Sequence, residues 1–293
     1  MSAPPPDRIR LTPATTATRE WKRCRPLWFR INTPLRILWI VSSVFLSPLR
    51  RRHSSDPSTL QALILVRDLY SPLQSLVTAF ERQGIPYGRI ILVDTGSTAP
   101  ACLAELQRLE ALGCVWHRLP PEEQAYGPYA PWLSSALRRQ LRASPHPFLV
   151  TDVDLAFPAS LPDDWLQQLF AALNTNRFAL KTSLPLRTQD ITVAQREHIV
   201  AHELGLMRHP AYRLLTSLFL RRQPGHAACT TDTTLSLYRS PRQFSTLSVR
   251  LPVRYAMSHL PWYQAFIETE EYRYYTAHKL PLFGEWSSLQ DHG

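Results

Sequence analysis

The sequence predicts an α/β fold, with a mostly parallel sheet and helices packed on both of its faces. Two observations predict it. Between residues 60 and 155, four short apolar runs alternate with three stretches of helical character. Acidic residues also stand where the second and fourth of these runs end, at Asp94 and at Asp152 and Asp154. In a parallel sheet those are the carboxyl ends of strands, beyond which ligands bind.

The elements follow in order. "ALILVRD" (62–68) is the first strand. "SPLQSLVTAFERQG" (71–84) is a helix, with Ser71 as N-cap, Pro72 at the first helical position and Gly84 as the stop. "RIILVD" (89–94) is the second strand, and a helical stretch follows near 99–112. "CVWHRL" (114–119) is the third strand. A proline-bounded loop then leads to "PWLSSALRRQLR" (131–142), which puts Leu133, Leu137 and Leu141 on one helical face. "PFLVTD" (147–152) is the fourth strand. The second half is less regular: helical patterns at 162–173 and 194–220, a strand at 233–239, and a charged helix at 265–279.

Composition bounds the rest. Of 293 residues, 44% are apolar and eight are Trp, enough for a sizeable core. The net charge of +10 is not spread evenly. Residues 1–53 hold eleven Lys/Arg against Asp7 and Glu20, whereas the remaining 240 hold 22 against 21. The basicity therefore belongs to an N-terminal arm. Its longest uncharged stretch near the hydrophobic peak, Ile37–Leu49, is thirteen residues, against roughly 20 for a spanning helix. Trp21, Trp28, Phe29 and Trp39 beside arginines suit a segment lying on an anionic membrane surface; a disordered basic tail with a packed helix is the other reading. No aromatic-rich sheet or helix-turn-helix pattern accompanies the charge, so no nucleic-acid partner is expected. Cys24, Cys102, Cys114 and Cys229 form no C-x-x-C pair, which fits a reducing, cytoplasmic setting, with the arm peripheral on the inner face of a membrane.

"FLVTDVD" (148–154) carries the chemical question. On a strand Asp152 and Asp154 share a side, with Val153 opposite. Two neighbouring carboxylates repel unless something positive lies between them, and a divalent cation with oxygen ligands is one answer. Solvated strand-end acids are the other.

"LVDTGST" (92–98), "GPYAPW" (127–132), "VTDVDL" (150–155), "TTDTTLSLYR" (230–239) and "SHLPWY" (258–263), followed by Glu270-Glu271-Tyr272, resemble bacterial glycosyltransferase family 2 proteins with the Rossmann-type GT-A fold. The resemblance covers most of residues 60–286. It implies a nucleotide-sugar-binding half (60–160) and an acceptor and catalytic half (161–286). The implied activity is metal-dependent, inverting transfer of a hexosyl group from a nucleotide-diphosphate sugar, UDP by default, to a hydroxyl of a glycan, glycolipid or polysaccharide. A sugar-nucleotide-binding relative without catalysis, and a membrane-surface scaffold, are the alternatives.

Residue by residue, the resemblance implies that Asp94 contacts the nucleoside and that Asp152 and Asp154 hold Mn²⁺ or Mg²⁺ against the donor diphosphate. His259 becomes a further metal ligand. Independently of the resemblance, Tyr126, Trp132, Trp262 and Tyr263 are aromatics that could stack on a base or sugar ring, and Trp262 is the one expected on the acceptor side. Arg67, after the first strand, could approach a phosphate. The base is expected from the later region: Asp232 first, Glu203 second, Glu270 and Glu271 third. Where many relatives have a second acid after the one at Asp94, this chain has Thr95, which puts a two-acid contact in doubt. His198, His202 and His209 share a helical face, but a zinc-hydrolase pattern needs a His at position 206, which is Leu.

Overall fold

The computed structural model describes residues 54–176, 179–208, 225–231, 234–240 and 247–279. The N-terminal arm, Asp232, His209 and the predicted helix beyond residue 208 lie outside the described residues.

β1 (Gln61–Val66) leads into α1 (Ser71–Arg82), β2 (Ile90–Asp94) into α2 (Pro100–Ala111), and β3 (Val115–Arg118) into α3 (Ala130–Leu133) and α4 (Ser135–Ala143). β4 (Phe148–Asp152) turns into the short β5 (Leu155–Ala156), followed by α5 (Trp165–Thr175), β6 (Lys181–Ser183) and α6 (Arg196–Arg208). β7 (Ala227–Thr230), β8 (Ser236–Tyr238), β9 (Leu247–Arg250), β10 (Ser258–His259), α7 (Gln264–Ile267) and α8 (Glu270–His278) complete the described order.

Eight of these strands make one sheet in the order β3-β2-β1-β4-β8-β6-β9-β7. The first four are mutually parallel, as the alternating pattern predicts. β8 is antiparallel to both β4 and β6, and β7 to β9, so the parallel half grows an antiparallel margin. The chain adds β2 and β3 on one side of β1, then crosses to add β4 on the other. That reversal is the switch point at which a crevice opens beyond the strand ends.

Helices cover both faces. The faces of β1 and β2 that carry Ala62, Ile64, Leu92 and Val66 bury against Leu73, Leu76 and Phe80 of α1, Cys102 and Leu106 of α2, and Leu169 and Phe170 of α5. The opposite set, Leu63, Leu65, Ile91 and Val93, buries against Trp132 of α3 and Leu137 and Leu141 of α4. Every residue of β1 and β2 is buried, as expected for strands covered on both sides.

Three expectations are corrected. Ser71 is not the cap of α1; it is the first helical residue, and Tyr70 precedes it without a side-chain cap. The stretch 131–142 is two helices, because Ser134 is extended between them (φ −63°, ψ 126°). The predicted helix 265–279 is also two, broken where Thr269 leaves helical geometry and caps α8 by accepting a hydrogen bond from the Tyr272 N–H at 3.2 Å.

Candidate active site

The turn after β2 is built on Asp94. Its Oδ1 accepts hydrogen bonds from the N–H groups of Gly96 (3.0 Å) and Ser97 (2.6 Å), so the carboxylate folds the chain back over the strand end. Gly96 sits at φ 102°, and a Cβ there would stand 2.3 Å from Gln124 Oε1 and 3.1 Å from Arg67 Nη1. The turn therefore needs glycine for its backbone and for the side chains that close over it. Asp94 is buried, yet its Oδ2 has no hydrogen-bond partner among the described residues. The nearest cation is Arg118 on β3, whose Nε lies 3.7 Å away on a side chain that is 55% exposed. The same guanidinium donates from Nη2 to the Ser97 carbonyl at 3.4 Å, so Arg118 lies along the turn that Asp94 builds.

Thr95 replaces the second acid of the resemblance, and its Oγ1 and N–H both donate to the Val66 carbonyl, at 3.1 and 2.9 Å. A second carboxylate nevertheless reaches this turn from the neighbouring strand end. Asp68, buried and at φ 52°, accepts from the N–H groups of Thr98 (2.5 Å) and Ala99 (2.7 Å) and so caps α2 from outside its own segment. Its Oδ2 is buried and unpartnered among the described residues. Sequence reasoning missed Asp68. The signal was there: like Asp94 and Asp152, it follows an apolar run at a carboxyl strand end.

β4 ends at Asp152, which is in register with Leu65 of β1. The Val153 N–H still donates to the Leu65 carbonyl at 3.1 Å, and Val153 is buried while Asp152 and Asp154 are half-exposed. A turn and not a continuing strand carries Asp154, so strand alternation does not set its direction. β10 pairs antiparallel with β5, His259 opposite Leu155. That pairing brings His259 Nε2 to 3.3 Å from Asp154 Oδ2, and the Leu260 N–H donates to the Asp154 carbonyl at 2.9 Å. Asp154 Oδ1 is buried without a hydrogen-bond partner among the described residues. Trp262 holds the other side of His259, ring edge to ring face at 4.9 Å. It is itself buried with Ile191, Val193 and Ile199, so it serves as a wall of the histidine's pocket.

α8 lies across the ends of β1 and β2. Glu271 Oε1 accepts from the Ser71 N–H at 2.9 Å and from the Tyr70 N–H, which supplies the cap that α1 lacks locally. Tyr274 Oη is 3.2 Å from Thr98 Oγ1. Arg67 donates from Nη1 to the Thr95 carbonyl at 2.5 Å and from Nη2 to the His278 carbonyl at 3.3 Å, at the negative end of α8. Arg67 is thus a brace between the β2 turn and α8. Burial pushes the Tyr275 phenol well up, and Asp154 and Asp152 push the same way while Arg67 opposes them. Tyr275 therefore shares the electrostatic neighbourhood of all three.

The remaining candidates fall elsewhere. Glu203 is buried in α6, and its Oε2 accepts from Arg250 Nη1 at 2.7 Å in an ion pair whose partners are both buried. Arg250 stands on β9, three strands from β4, roughly 14 Å at the usual strand spacing. Glu270, His198 and His202 are exposed. Thr231 and Thr234 flank Asp232 in sequence and lead into β8, whose Ser236 pairs with Val150, two residues before Asp152. The buried Lys181 ammonium donates to the Thr231 carbonyl at 2.7 Å. Among the described residues no three His, Cys, Asp or Glu side chains form a ready-made metal cage, and no helix is long and apolar enough to cross a membrane.

No family model matches this sequence, and no curated protein matches it. Solved structures do. Residues 1-349 of S. aureus TarS are similar over 69% of this chain and 60% of that one, at 10% identity and a TM-score of 0.40. An M. tuberculosis glucosyl-3-phosphoglycerate synthase is similar over 61% of this chain and 56% of that one, at 17% identity and a TM-score of 0.32. A mannosyltransferase from Pyrobaculum calidifontis, in complex with GDP-Man and Mn²⁺, is similar over 86% of this chain and 69% of that one, at 12% identity and a TM-score of 0.38. The chain thus spans less than two thirds of the length of the first two. The chain's own architecture is an α/β sheet with parallel strands β3-β2-β1-β4, helices on both faces and an antiparallel margin.

Proposed function

We propose that this chain transfers a glycosyl group from a nucleotide-diphosphate sugar to an acceptor hydroxyl at the carboxyl edge of β2, β1 and β4. The observation that carries the reading is the placement of Asp94, Asp152, Asp154 and His259 along that edge, with the last two side chains 3.3 Å apart. Asp94 and Asp152 terminate strands separated only by β1, roughly 10 Å at the usual strand spacing. That span suits a nucleoside held at one end and its diphosphate at the other.

The residues present fit a divalent cation. Asp154 Oδ1 is a buried acceptor with no donor among the described residues, and carboxylate oxygens with one imidazole nitrogen suit Mg²⁺ or Mn²⁺. Asp152, Asp154 and His259 would hold it. Such ions commonly take only one or two carboxylates and complete their shell with substrate phosphates and water, so the lack of a three-residue cage is expected. When bound, the ion supplies Lewis-acid neutralisation of the leaving diphosphate.

The chain's own groups supply the rest. Asp94 Oδ2 accepts a hydrogen bond from the nucleoside, and Arg118 donates beside it. As the bond from the anomeric carbon to the diphosphate oxygen breaks, the acceptor oxygen bonds to that carbon and its proton passes to a carboxylate. We assign that role to Asp232, because β8 enters the sheet beside the end of β4. Glu203 is occupied by Arg250. Attack opposite the leaving diphosphate makes the transfer inverting.

A thermal-shift panel of the full chain with UDP-, GDP- and TDP-sugars, each with and without Mn²⁺, tests the proposal. A rise in melting temperature is expected for one nucleotide, dependent on Mn²⁺ and lost in Asp154→Ala. No shift with any donor overturns it. Binding without turnover would leave a sugar-nucleotide-binding protein in its place.

A further inference from the structure

The second helical layer carries a charge pattern that the carboxyl edge does not use. From Gln124 to Thr151 the chain contains no Asp or Glu, and α4 lies within that stretch. Leu137 and Leu141 bury its inner side against the sheet. At 3.6 residues per turn, Arg138, Arg139 and Arg142 fall within an arc of about 100° on the remaining side. Arg139 and Arg142 are exposed, and Arg138 is partly so. Among the described residues none of the three is in an ion pair. Some arginines elsewhere in the fold have a carboxylate partner, Arg108 with Glu105, Arg187 with Asp190 and Arg250 with Glu203, but none of those gathers three guanidinium groups on one short helical face. Three like charges at neighbouring helical positions repel one another, and among the described residues no carboxylate pairs with this face.

We propose that the Arg138–Arg139–Arg142 face of α4 is a docking surface for an anionic lipid bilayer. The inference does not depend on the transfer reaction. Two observations choose the occupant. The exposed residues that accompany the arginines on α4 are Ser135, Ala136 and Ala143, which offer no aromatic platform for nucleobases. The chain also carries a second feature of the same chemistry, its N-terminal arm of eleven Lys/Arg interspersed with Trp and Phe. Peripheral attachment is stable when two such signals act together. The geometry permits it, since α4 covers a face of the sheet while the acids lie along its edge, so a bilayer against α4 leaves the edge open.

The test is co-sedimentation of the full chain with vesicles of phosphatidylcholine alone or mixed with phosphatidylglycerol. Wild type is expected to bind only the anionic vesicles, with binding falling as salt rises. The R138Q/R139Q/R142Q variant is expected to lose about tenfold or more in vesicle affinity. Its circular dichroism and melting temperature should match wild type, because the three side chains touch no carboxylate. Vesicle binding equal to wild type in this variant overturns the proposal. So does a preference of wild type for single-stranded or duplex nucleic acid over vesicles through the same three residues.

Discussion

Asp154 Oδ2 and His259 Nε2 lie 3.3 Å apart although 105 residues separate them in sequence. The pairing of β10 with β5 makes the contact, and the Leu260 N–H to Asp154 carbonyl bond locks it. If the pair binds a cation, removing the imidazole removes one ligand and leaves the carboxylates. His259→Ala is then expected to weaken Mn²⁺ binding about tenfold, or ~1.4 kcal/mol. Asp154→Ala should abolish it. Calorimetric titration of Mn²⁺ in the presence of the donor nucleotide measures both, and unchanged affinity in His259→Ala would remove the histidine from the site.

Gly96 gives a prediction on stability. Alanine there must adopt φ near 102° and meets Gln124 Oε1. The backbone strain costs about 1–3 kcal/mol. The clash adds less, because a glutamine end can swing away. Gly96→Ala should therefore lose most of that amount in urea unfolding, and adding Gln124→Ala should recover only a small part. Full recovery in the double variant would show that space, not backbone geometry, selects glycine.

The parallel half of the fold was legible because β1, β2 and most of β4 are buried on both faces, with β3 at the more exposed edge, and because α1 and α2 are bounded by Pro and Gly. Ile90–Asp94 reads as a strand from its unbroken apolar run alone. Of the antiparallel margin only β8 was legible, inside the strand expected at 233–239. Lys181–Ser183 is polar and fully buried, with Ser183 Oγ 2.6 Å from Ser248 Oγ and Thr182 donating to the Leu169 carbonyl, so no apolar run marks it as a strand. The acids at strand ends were legible from position alone, Asp68 by the same signal although it was passed over; what position cannot show is what the Asp68 carboxylate binds. Its cap for α2 is made thirty residues along the chain, and local spacing cannot show it. The burial of Glu203 was hidden for the same reason, since its partner stands 47 residues away.

Cys102 supplies a pH dependence. Burial pushes its thiol up to about 12, with Ser97 opposing and Asp68, Asp94 and Glu271 adding to the rise. The unfolded chain ionises this thiol near 9. Between those values the folded state holds a proton that the unfolded state releases. The contribution to stability is therefore complete below pH 9 and is lost as pH rises towards 12, at up to about 1.4 kcal/mol per pH unit. Urea midpoints measured from pH 8 to 11 should fall, and should fall less steeply in Cys102→Ala. Equal slopes in the two proteins would mean that the thiol ionises in place without unfolding cost. Below pH 9 the same thiol should resist alkylation until the chain unfolds.

Glu203 separates structure from catalysis. Its carboxylate and the Arg250 guanidinium are both buried and 2.7 Å apart, so removing one strands the other charge in the protein. Breaking such a pair typically costs about 3–5 kcal/mol. Glu203→Ala should lose stability on that scale, and Glu203→Ala/Arg250→Met should recover much of it by removing both charges. A residue acting as the base would behave otherwise: Glu203→Gln would keep the fold and lose turnover. Urea unfolding of the three variants, with single-turnover assays on those that fold, distinguishes the two roles. The expected pattern is loss of stability relieved in the double variant, with the chemical step intact wherever the fold survives. A stable Glu203→Gln protein without turnover would move the proton acceptor from Asp232 to Glu203.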